Sequence, residues 1–501
     1  MQKNKYIGTA IIYTNQLTRN IEPFLAKLIQ QKLKLKIIFI VSTSTDKIYY
    51  EKQYPNIFHE IYPHRIFSSI IEKRPLLNNI EKKAVQYEKK YGCSIYKLFF
   101  NHRILGRGFS ASGGVHHPRN RAHFEGSHKL FMNMGVSEII FWENLYKKNN
   151  IKLAVNLPDY AHYIARKKNL KSLRLFAGRF KNTYAWTSVM GINPVVTSNE
   201  LKYSKPKNLK KYFLKSPYQS HLDLHKLLLK NLRISNVLKG SIYKALKLIY
   251  GKIVGYEMSK NAYITDEVFA LWKYRKSYFE YLKYTKKTKK NIKNQKFIFF
   301  PLLTEPEVAI SGTAKDFFFQ LSALNILARD LPADYRILVK EHLLALGRRP
   351  KDFYRQISEH KNIVFVDPMK MGLDLIKKCK AVACVAGTAG WEATVMGVPV
   401  ISFSKYNEFN ILEHTFVVKK LDSLREIFNI LDKNSYPNKK TLIDGAKFYS
   451  AYLKKFVDVK EYNPLLPLEK SIALIPKDLK EVANILFNDL RKKFLSKKTF
   501  F

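Results

Sequence analysis

The stretch CVAGTAGWEATVMGVPVISF, residues 384–403, decides the fold of this chain. It continues the apolar run AVACVA, which begins at Ala381 and is typical of a buried strand. The small residues 387–390 favour a tight turn, WEATVM has helical spacing, and Gly397 and Pro399 end that helix before a second buried strand. The stretch therefore predicts a parallel α/β unit, and the free N–H groups at the start of its helix attract phosphate. The alternative is that the turn is merely short and its glycines serve packing.

Two regions of the chain alternate strand-like and helix-like segments. The first runs from Tyr6 to about Pro194 and includes YIGTAIIYT, NIEPFLAKLIQQKL, LKIIFIVST, IKLAVNL, PDYAHYIARKKN and LRLFAG. The second begins at Phe297 and includes KFIFFPLL, YRILVKEH, IVFVDP and the quoted unit. Each pattern predicts a parallel sheet covered by helices on both faces. We therefore expect an α/β protein with two Rossmann-like domains that face each other across a cleft.

The charge of the chain is strongly positive, with 88 basic and 40 acidic residues and a formal net charge of +48. Such a chain attracts nucleic acid, anionic lipid or acidic substrates. Residues 196–296 mix lysine with leucine and isoleucine at helical spacing and end in the basic run YLKYTKKTKKNIKNQK. This segment is either a solvated helical face, a contact with an anionic membrane or a nucleic-acid contact. Among these partners we favour the membrane over nucleic acid, because the lysines interleave with leucines.

The compartment expected from the sequence is the cytoplasm, on the inner face of the cytoplasmic membrane. No apolar run reaches the roughly eighteen residues that span a bilayer. The N-terminal stretch MQKNKYIGTAIIYTN has too short an apolar core for a signal peptide and is better explained as a first strand. Cys379 and Cys384 lie in or beside a predicted buried strand, where reduced cysteines act as small apolar residues.

Three segments are expected at the same edge of the second sheet, namely residues 301–312, 339–350 and the turn 387–390. Charged residues directly after buried strands are costly unless they are paired or bind a ligand. Lys340, His342 and the turn amides suit a phosphate, whereas Glu392 suits a ribose hydroxyl or a structural role. Interdomain salt bridges are the alternative. The predicted nucleotide-binding set is Glu305, Glu307, Lys340, Glu341, His342, Gly387, Thr388, Ala389, Gly390 and Glu392.

The motifs FPLLTEPEVAISG, LPADYRILVKEH, RRPKDFY, NIVFVDP and AGTAGWEATVMGVPVISF occur in that order over roughly residues 297–405. This series resembles the bacterial capsule polysaccharide biosynthesis family, which includes GT-B glycosyltransferases that add β-linked Kdo from CMP-Kdo. The resemblance implies a nucleotide-sugar donor and a lipid-linked or anionic glycan acceptor, and capsule assembly proteins are further expected partners. We expect no metal or other cofactor, because the sequence has no Asp-X-Asp pair in the place that a metal-dependent transferase would need. The resemblance also implies that His342 and Thr388 hold the donor phosphate, although Leu343 stands where the family's His-Pro pair has proline.

With that resemblance, the chain divides into four predicted parts. Residues 1–195 form an N-terminal Rossmann-like domain on the acceptor side, and residues 196–296 form a basic helical connector. Residues 297–450 form a C-terminal Rossmann-like domain that binds the nucleotide sugar. Residues 451–501 are helices that pack back on the first domain.

Glycosyl transfer needs a base or a nucleophile near the anomeric carbon, and we expect a carboxylate of the first region to supply it. The candidates are Asp159, which follows a strand and Pro158, then Glu143 and Glu125; a structural role is the alternative for each. The glycine-rich segment 106–120 is expected to bind the acceptor. Its candidate residues are Ser110, Ser112, His116, His117 and Arg119.

Two other functions compete with a transferase. A sugar-nucleotide epimerase has a similar two-domain fold, but it acts without an acceptor and gives no reason for the long basic segment. A non-catalytic protein that binds glycan or nucleic acid through a degenerate site is the other candidate, because of Leu343.

Overall fold

The computed structural model describes most of the chain. The described residues are 6–14, 18–64, 76–102, 127–179, 183–188, 196–207, 226, 228–255, 268–288, 295–305, 308–419, 424–459 and 476–496.

The strands of the described residues fall into two sheets. In chain order they are β1 (Gly8–Tyr13), β2 (Leu35–Val41), β3 (Glu60–Pro63), β4 (Ile151–Val155), β5 (Ser172–Ala177), β6 (Thr183–Thr187), β7 (Lys296–Pro301), β8 (Tyr335–Lys340), β9 (Ile363–Val366), β10 (Ala381–Cys384), β11 (Val400–Ser402), β12 (Thr415–Val417) and β13 (Val457–Asp458).

The helices connect and cover these strands. They are α1 (Glu22–Leu33), α2 (Ser44–Gln53), α3 (Ile80–Tyr91), α4 (Ile95–Phe99), α5 (His128–Lys148), α6 (Asp159–Lys167), α7 (Ser198–Tyr203), α8 (Ile234–Ile253), α9 (Ala270–Thr288), α10 (Val308–Thr313), α11 (Gln320–Asp330), α12 (Phe353–Glu359), α13 (Gly372–Ile376), α14 (Thr388–Val395), α15 (Leu424–Lys433), α16 (Lys439–Leu453) and α17 (Pro476–Leu495), with short 3₁₀ helices at Lys315–Phe317 and Leu343–Ala345.

The first sheet has the strand order β13-β6-β5-β4-β1-β2-β3. Strands β1 to β5 pair in parallel, whereas β6 and β13 run antiparallel at one edge. The central strands are continuous apolar runs because helices cover both of their faces. Helix α1 shows the matching pattern, with Leu25, Ala26, Ile29 and Leu33 buried at helical spacing. The order β3-β2-β1-β4-β5 is that of a Rossmann-like sheet.

The second sheet has the order β12-β11-β10-β7-β8-β9, and all its neighbouring strands are parallel. This is the complete doubly wound order, in which the chain changes direction across the sheet between β7 and β10. Ligands of such sheets bind outside the carboxyl ends of the strands at that switch point. The prediction of an α/β fold with two Rossmann-like domains is therefore confirmed.

Two helices from outside the strand-rich regions join the domain cores. Tyr281 of α9 is fully buried, and its hydroxyl oxygen lies 3.0 Å from the carbonyl oxygens of both Val339 and Val366, which share its one O–H donor. Helix α9 thus packs into the second domain, although the sequence placed it in the connector. Helix α17 packs on α1 and β6 of the first sheet, where the Trp186 indole N–H donates to the Leu486 carbonyl at 2.8 Å.

The two domains meet at the carboxyl ends of their strands. The Phe100 ring, which follows α4, contacts the Phe318 ring of the second domain at a centroid distance of 4.9 Å. Arg179, which follows β5, reaches Glu408 of the second domain. The cleft between the sheets is therefore bounded by side chains from both domains.

Candidate functional site

The turn before α14 lies at the switch point of the second sheet. Gly387 caps the helix with φ 100°, a backbone conformation that L side chains rarely adopt. A Cβ at this position would also lie 2.8 Å from Leu303 Cδ2, beside the end of β7. Helix α14 begins at Thr388, three residues before the helix expected from the sequence, so the half-buried Thr388 is in its first turn. The N–H groups of this turn have no helical carbonyl acceptors, which is the arrangement that binds phosphate.

Close packing fixes the position of this helix. A Cβ at Gly390 would lie 2.5 Å from Cys384 Sγ in β10 and 2.7 Å from Phe409 Cζ. Only glycine lets α14 approach its own preceding strand this closely. Gly387 and Gly390 therefore serve the backbone geometry of the turn, and Ala389 between them is half-buried.

Arg179 of the first domain reaches the start of α14. Its Nε and Nη2 donate to Glu408 Oε1 at 3.1 and 2.9 Å, and its Nη1 donates to Thr388 Oγ1 at 3.4 Å. The Arg179 side chain is 21% exposed and that of Glu408 is 5% exposed. Burial alone would lower the pKa of Arg179, but the Glu408 carboxylate holds that pKa above its usual value. The positively charged Arg179 of the first domain therefore lies at the N-terminus of helix α14 in the second domain.

Glu392 lies one helical turn after Thr388 and is 8% exposed. Burial raises the pKa of its carboxyl to about 7, although attraction to Arg179 partly opposes the shift. Among the described residues, no hydrogen bond to the Glu392 side chain is present. A desolvated carboxyl of this kind is available to accept hydrogen bonds from a ligand hydroxyl.

Lys340 and His342 follow the neighbouring strand. Lys340 is the last residue of β8 and pairs in register with Pro301 at the end of β7. Burial lowers the pKa of the Lys340 ammonium to about 8, and its Nζ lies 3.5 Å from the Glu341 carbonyl oxygen. His342 is half-buried and caps the 3₁₀ helix, with Nδ1 accepting from the Leu344 N–H at 3.3 Å. Leu343, directly after His342, is 4% exposed and packs in the apolar core.

Glu305 and Glu341 differ from the prediction that they bind the nucleotide. Glu341 is fully buried, and Arg349 donates to its two carboxylate oxygens at 2.7 and 2.8 Å. The Tyr354 hydroxyl donates to the same carboxylate at 2.9 Å, and Arg349 Nη1 donates to Glu305 Oε2 at 3.2 Å. These carboxylates neutralise a buried arginine and join the loops after β7 and β8. Glu305 and Glu341 therefore support the proposed nucleotide site and do not face it. Glu307 lies outside the described residues.

The first-domain carboxylates are also engaged within the protein. Asp159 starts α6 and forms an ion pair with Arg174, and it accepts from Asn101 Nδ2 at 2.9 Å. Asp159 does lie at the carboxyl edge of the first sheet, but these partners give it a structural role in this conformation.

Glu143 faces α3 and not the cleft, because the Lys90 ammonium and the Tyr91 hydroxyl donate to it. Burial alone would raise the pKa of Glu143, but these bonds outweigh burial and hold the pKa below its usual value. The remaining candidates lie outside the described residues: Ser110, Ser112, His116, His117, Arg119 and Glu125.

A buried network of polar side chains in the first domain was not predicted from the sequence. His64, directly after β3, pairs through Nε2 with Glu138 Oε2 at 3.0 Å, and both side chains are fully buried. His64 Nδ1 contacts the Tyr13 hydroxyl at 3.2 Å, and the Trp142 indole donates to Glu138 at 3.2 Å. This buried network joins the carboxyl ends of β1 and β3 to helix α5. Arg179 was also missed, since nothing local marks an arginine whose partner lies in the other domain.

The described residues hold no cluster of histidine, cysteine and carboxylate side chains that could bind a metal ion. In the same part of the chain, no helix is both long enough and apolar enough to cross a membrane.

Two doubly wound domains meet at a cleft, and helix α14 presents there an N-terminus of the kind that binds phosphate. These features define a protein with the GT-B architecture. Residues 159–407 match the family described as "Capsule polysaccharide biosynthesis protein". The match runs from α6 to the loop after β11, and it confirms the predicted resemblance to that family. No curated protein sequence matches the chain.

Solved structures resemble the chain only distantly. Thermosulfurimonas dismutans KpsC, a beta Kdo 2,7 transferase, has 13% identity and a TM-score of 0.31, covering 68% of this chain and 88% of its own. Anabaena Alr3699/HepE in complex with UDP has 11% identity and a TM-score of 0.29, covering 90% and 96%. The UDP-GlcNAc 2-epimerase of Neisseria meningitidis has 12% identity and a TM-score of 0.24, covering 97% and 99%. With TM-scores below 0.5, these likenesses carry no argument about function.

Proposed function

We propose that this protein is a glycosyltransferase of bacterial surface polysaccharide synthesis, which transfers a sugar from a nucleotide donor to a lipid-linked or glycan acceptor. CMP-Kdo is the first donor to test, because the family resemblance implies it. The reaction needs no metal in this proposal and takes place at the inner face of the cytoplasmic membrane, where capsule assembly proteins would receive the product.

The contact of Arg179 with the start of α14 carries the proposal. A donor phosphate at the turn 387–390 would accept hydrogen bonds from the free N–H groups of α14 and from the Thr388 hydroxyl. Arg179 has five N–H donors, and its bonds to Glu408 and Thr388 leave donors for a phosphate oxygen. Such charge stabilises the nucleotide as it leaves with the bonding electrons of the sugar–phosphate bond.

Three further residues extend the proposed donor site. Lys340 offers a second, desolvated cation at the end of β8, and Glu392 offers an acceptor for the ribose hydroxyls. His342 stays in the proposed set because it follows β8 at the same edge of the sheet. The sugar would then project toward the first domain, where the acceptor binds at the carboxyl ends of β1 and β4.

Transfer can be tested by incubating the protein with CMP-Kdo, other CMP-sugars or UDP-sugars, with and without a lipid-linked glycan acceptor. We expect nucleotide release that depends on the acceptor and a product that contains the donor sugar. Isomerisation of the donor sugar without an acceptor would instead show an epimerase. Tight donor binding with neither reaction would show a binding protein.

A further inference from the structure

The orientation of α8 is fixed by one of its faces. The Ser241 hydroxyl donates to the Val268 carbonyl at 2.8 Å, and Val237 is fully buried. A Cβ at Gly240 would lie 2.5 Å from Leu271 Cδ1 in α9. Since α9 is anchored in the second domain by Tyr281, this contact holds α8 against the outside of that domain with its other side free to face solvent.

The outward side of α8 is apolar along its whole length. Large aliphatic side chains recur on consecutive turns, and their exposed fractions lie between 46% and 78%. They form what we call the exposed stripe, which consists of Ile234, Leu238, Ile242, Leu246, Ile249 and Ile253. Leaving six large aliphatic side chains in water is unfavourable, so a continuous stripe of this kind marks an interaction surface.

The charges beside the exposed stripe indicate its partner. Helix α8 has four lysines and no acidic residue, and Lys239, Lys247 and Lys252 are exposed. Helix α9 adds six basic residues against the single acidic residue Glu280. A helix with an aliphatic face, lysine flanks and no negative charge is typical of helices that lie in the interface of an anionic bilayer.

We propose that the exposed stripe of α8 inserts into the surface of an anionic membrane, with the flanking lysines on the lipid headgroups. A second copy of this chain fits the stripe less well, because it would bring like-charged lysines together. Nucleic acid would leave the aliphatic side chains in water. The proposal deepens the proposed function by placing the enzyme where a lipid-linked acceptor lies, but the contact itself does not depend on catalysis.

Binding to vesicles tests the proposal without any substrate. We expect the protein to float with vesicles of phosphatidylglycerol and phosphatidylcholine at low salt, and to bind much less to phosphatidylcholine alone. The combined variant Leu238→Ser, Ile242→Ser, Leu246→Ser should weaken binding to the anionic vesicles more than tenfold. Lys239→Gln, Lys247→Gln and Lys252→Gln should each weaken it by about fivefold, and 0.5 M salt should reduce binding by wild type.

A matched control distinguishes insertion of the exposed stripe from nonspecific binding of exposed apolar residues to vesicles. Ile48, Val85 and Leu442 are also exposed, by 65%, 48% and 44%, but they lie on other helices. Replacing these three by serine should leave vesicle binding unchanged. Ile242→Trp should shift its fluorescence to the blue with anionic vesicles and be quenched by brominated lipid, whereas Ile48→Trp should not.

Two results would overturn the membrane contact. The first is equal vesicle binding by wild type and the stripe variant with no fluorescence change at position 242. The second is a stripe variant that only converts a dimer into a monomer, measured by light scattering, which would assign the stripe to a second copy. Failure of sugar transfer with intact vesicle binding would contradict the proposed function alone.

Discussion

The Arg179 guanidinium of the first domain donates a hydrogen bond of 3.4 Å to the Thr388 hydroxyl at the start of α14 in the second domain. The same arginine forms an ion pair with Glu408, which holds it in place. One side chain therefore joins the two domains at the atoms that we propose bind the donor phosphate. Closure of the cleft and donor binding would be coupled through this residue.

Replacing Arg179 tests that coupling. Arg179→Lys keeps the charge but loses the planar set of donors, and we expect about tenfold weaker binding of the donor nucleotide by calorimetry. Arg174→Lys is the matched control, because Arg174 also lies in or near β5 and is paired with a carboxylate, Asp159. It should lower the melting temperature without changing nucleotide affinity. Equal affinity losses in both variants would show that neither arginine contacts the donor.

The buried Glu392 makes the stability of the protein depend on pH. Burial raises the pKa of Glu392 from 4.5 to about 7 in the folded chain, so the folded state favours the protonated carboxyl. The contribution of Glu392 to stability is therefore full below pH 4.5 and is lost as pH rises from there through 7. Glu392→Gln cannot ionise, so it should not lose stability in this way. Between pH 4.5 and pH 8, the free energy of unfolding of Glu392→Gln should increase relative to that of wild type by up to about 3 kcal/mol. Urea unfolding at a series of pH values measures this difference.

The exposed Glu359→Gln serves as the control for that series, because its side chain is 62% exposed and lies in an i,i+4 pair with Arg355. Its stability relative to wild type should not change across the same window. A difference between Glu392→Gln and wild type that is flat from pH 4.5 to 8 would mean that Glu392 is not desolvated.

The affinity for the donor nucleotide should depend on pH through the charge of Lys340. Burial lowers the pKa of this lysine to about 8, so it loses its charge within the accessible range. If Lys340 contacts the phosphate, nucleotide affinity should fall by up to about tenfold per pH unit above 8. Lys340→Met should bind weakly at pH 7 and show no such decline, whereas the exposed Lys361→Met should behave as wild type. A decline that persists in Lys340→Met would assign it to another group.

The Glu341–Arg349 pair should contribute to stability and not to binding. Glu341→Gln leaves the buried Arg349 charge with Glu305 as its remaining carboxylate partner among the described residues, at 3.2 Å, which should cost about 3 kcal/mol in the free energy of unfolding. Glu413→Gln breaks an ion pair with Lys440 whose side chains are 76% and 67% exposed, and it should leave the free energy of unfolding nearly unchanged. Weaker nucleotide binding by folded Glu341→Gln would return Glu341 to the donor site.

The strands and the turn were predictable from the sequence because buried parallel strands are continuous apolar runs and the turn needs small residues. Distant pairs were not predictable, since Arg179 and Glu408 are 229 residues apart in the chain. The charges after β7 and β8 were ambiguous, and Glu305 and Glu341 form salt bridges within the second domain and not the interdomain ones of the alternative. For α9 a signal existed: Tyr274, Tyr278 and Tyr281 recur at helical spacing and are its buried face.

Calorimetric titration of CMP and UDP into site variants tests the central claim, that the turn 387–390 and the end of β8 hold the donor phosphate. We predict that Thr388→Val and His342→Ala each weaken binding of the preferred nucleotide by about tenfold or more, with melting temperatures near that of wild type. Cys384→Ser, a fully buried neighbour in β10, should lower the melting temperature and leave the affinity of the folded protein unchanged. Wild-type affinity in both site variants, or loss of binding only through unfolding, would contradict the claim and leave the turn a packing feature.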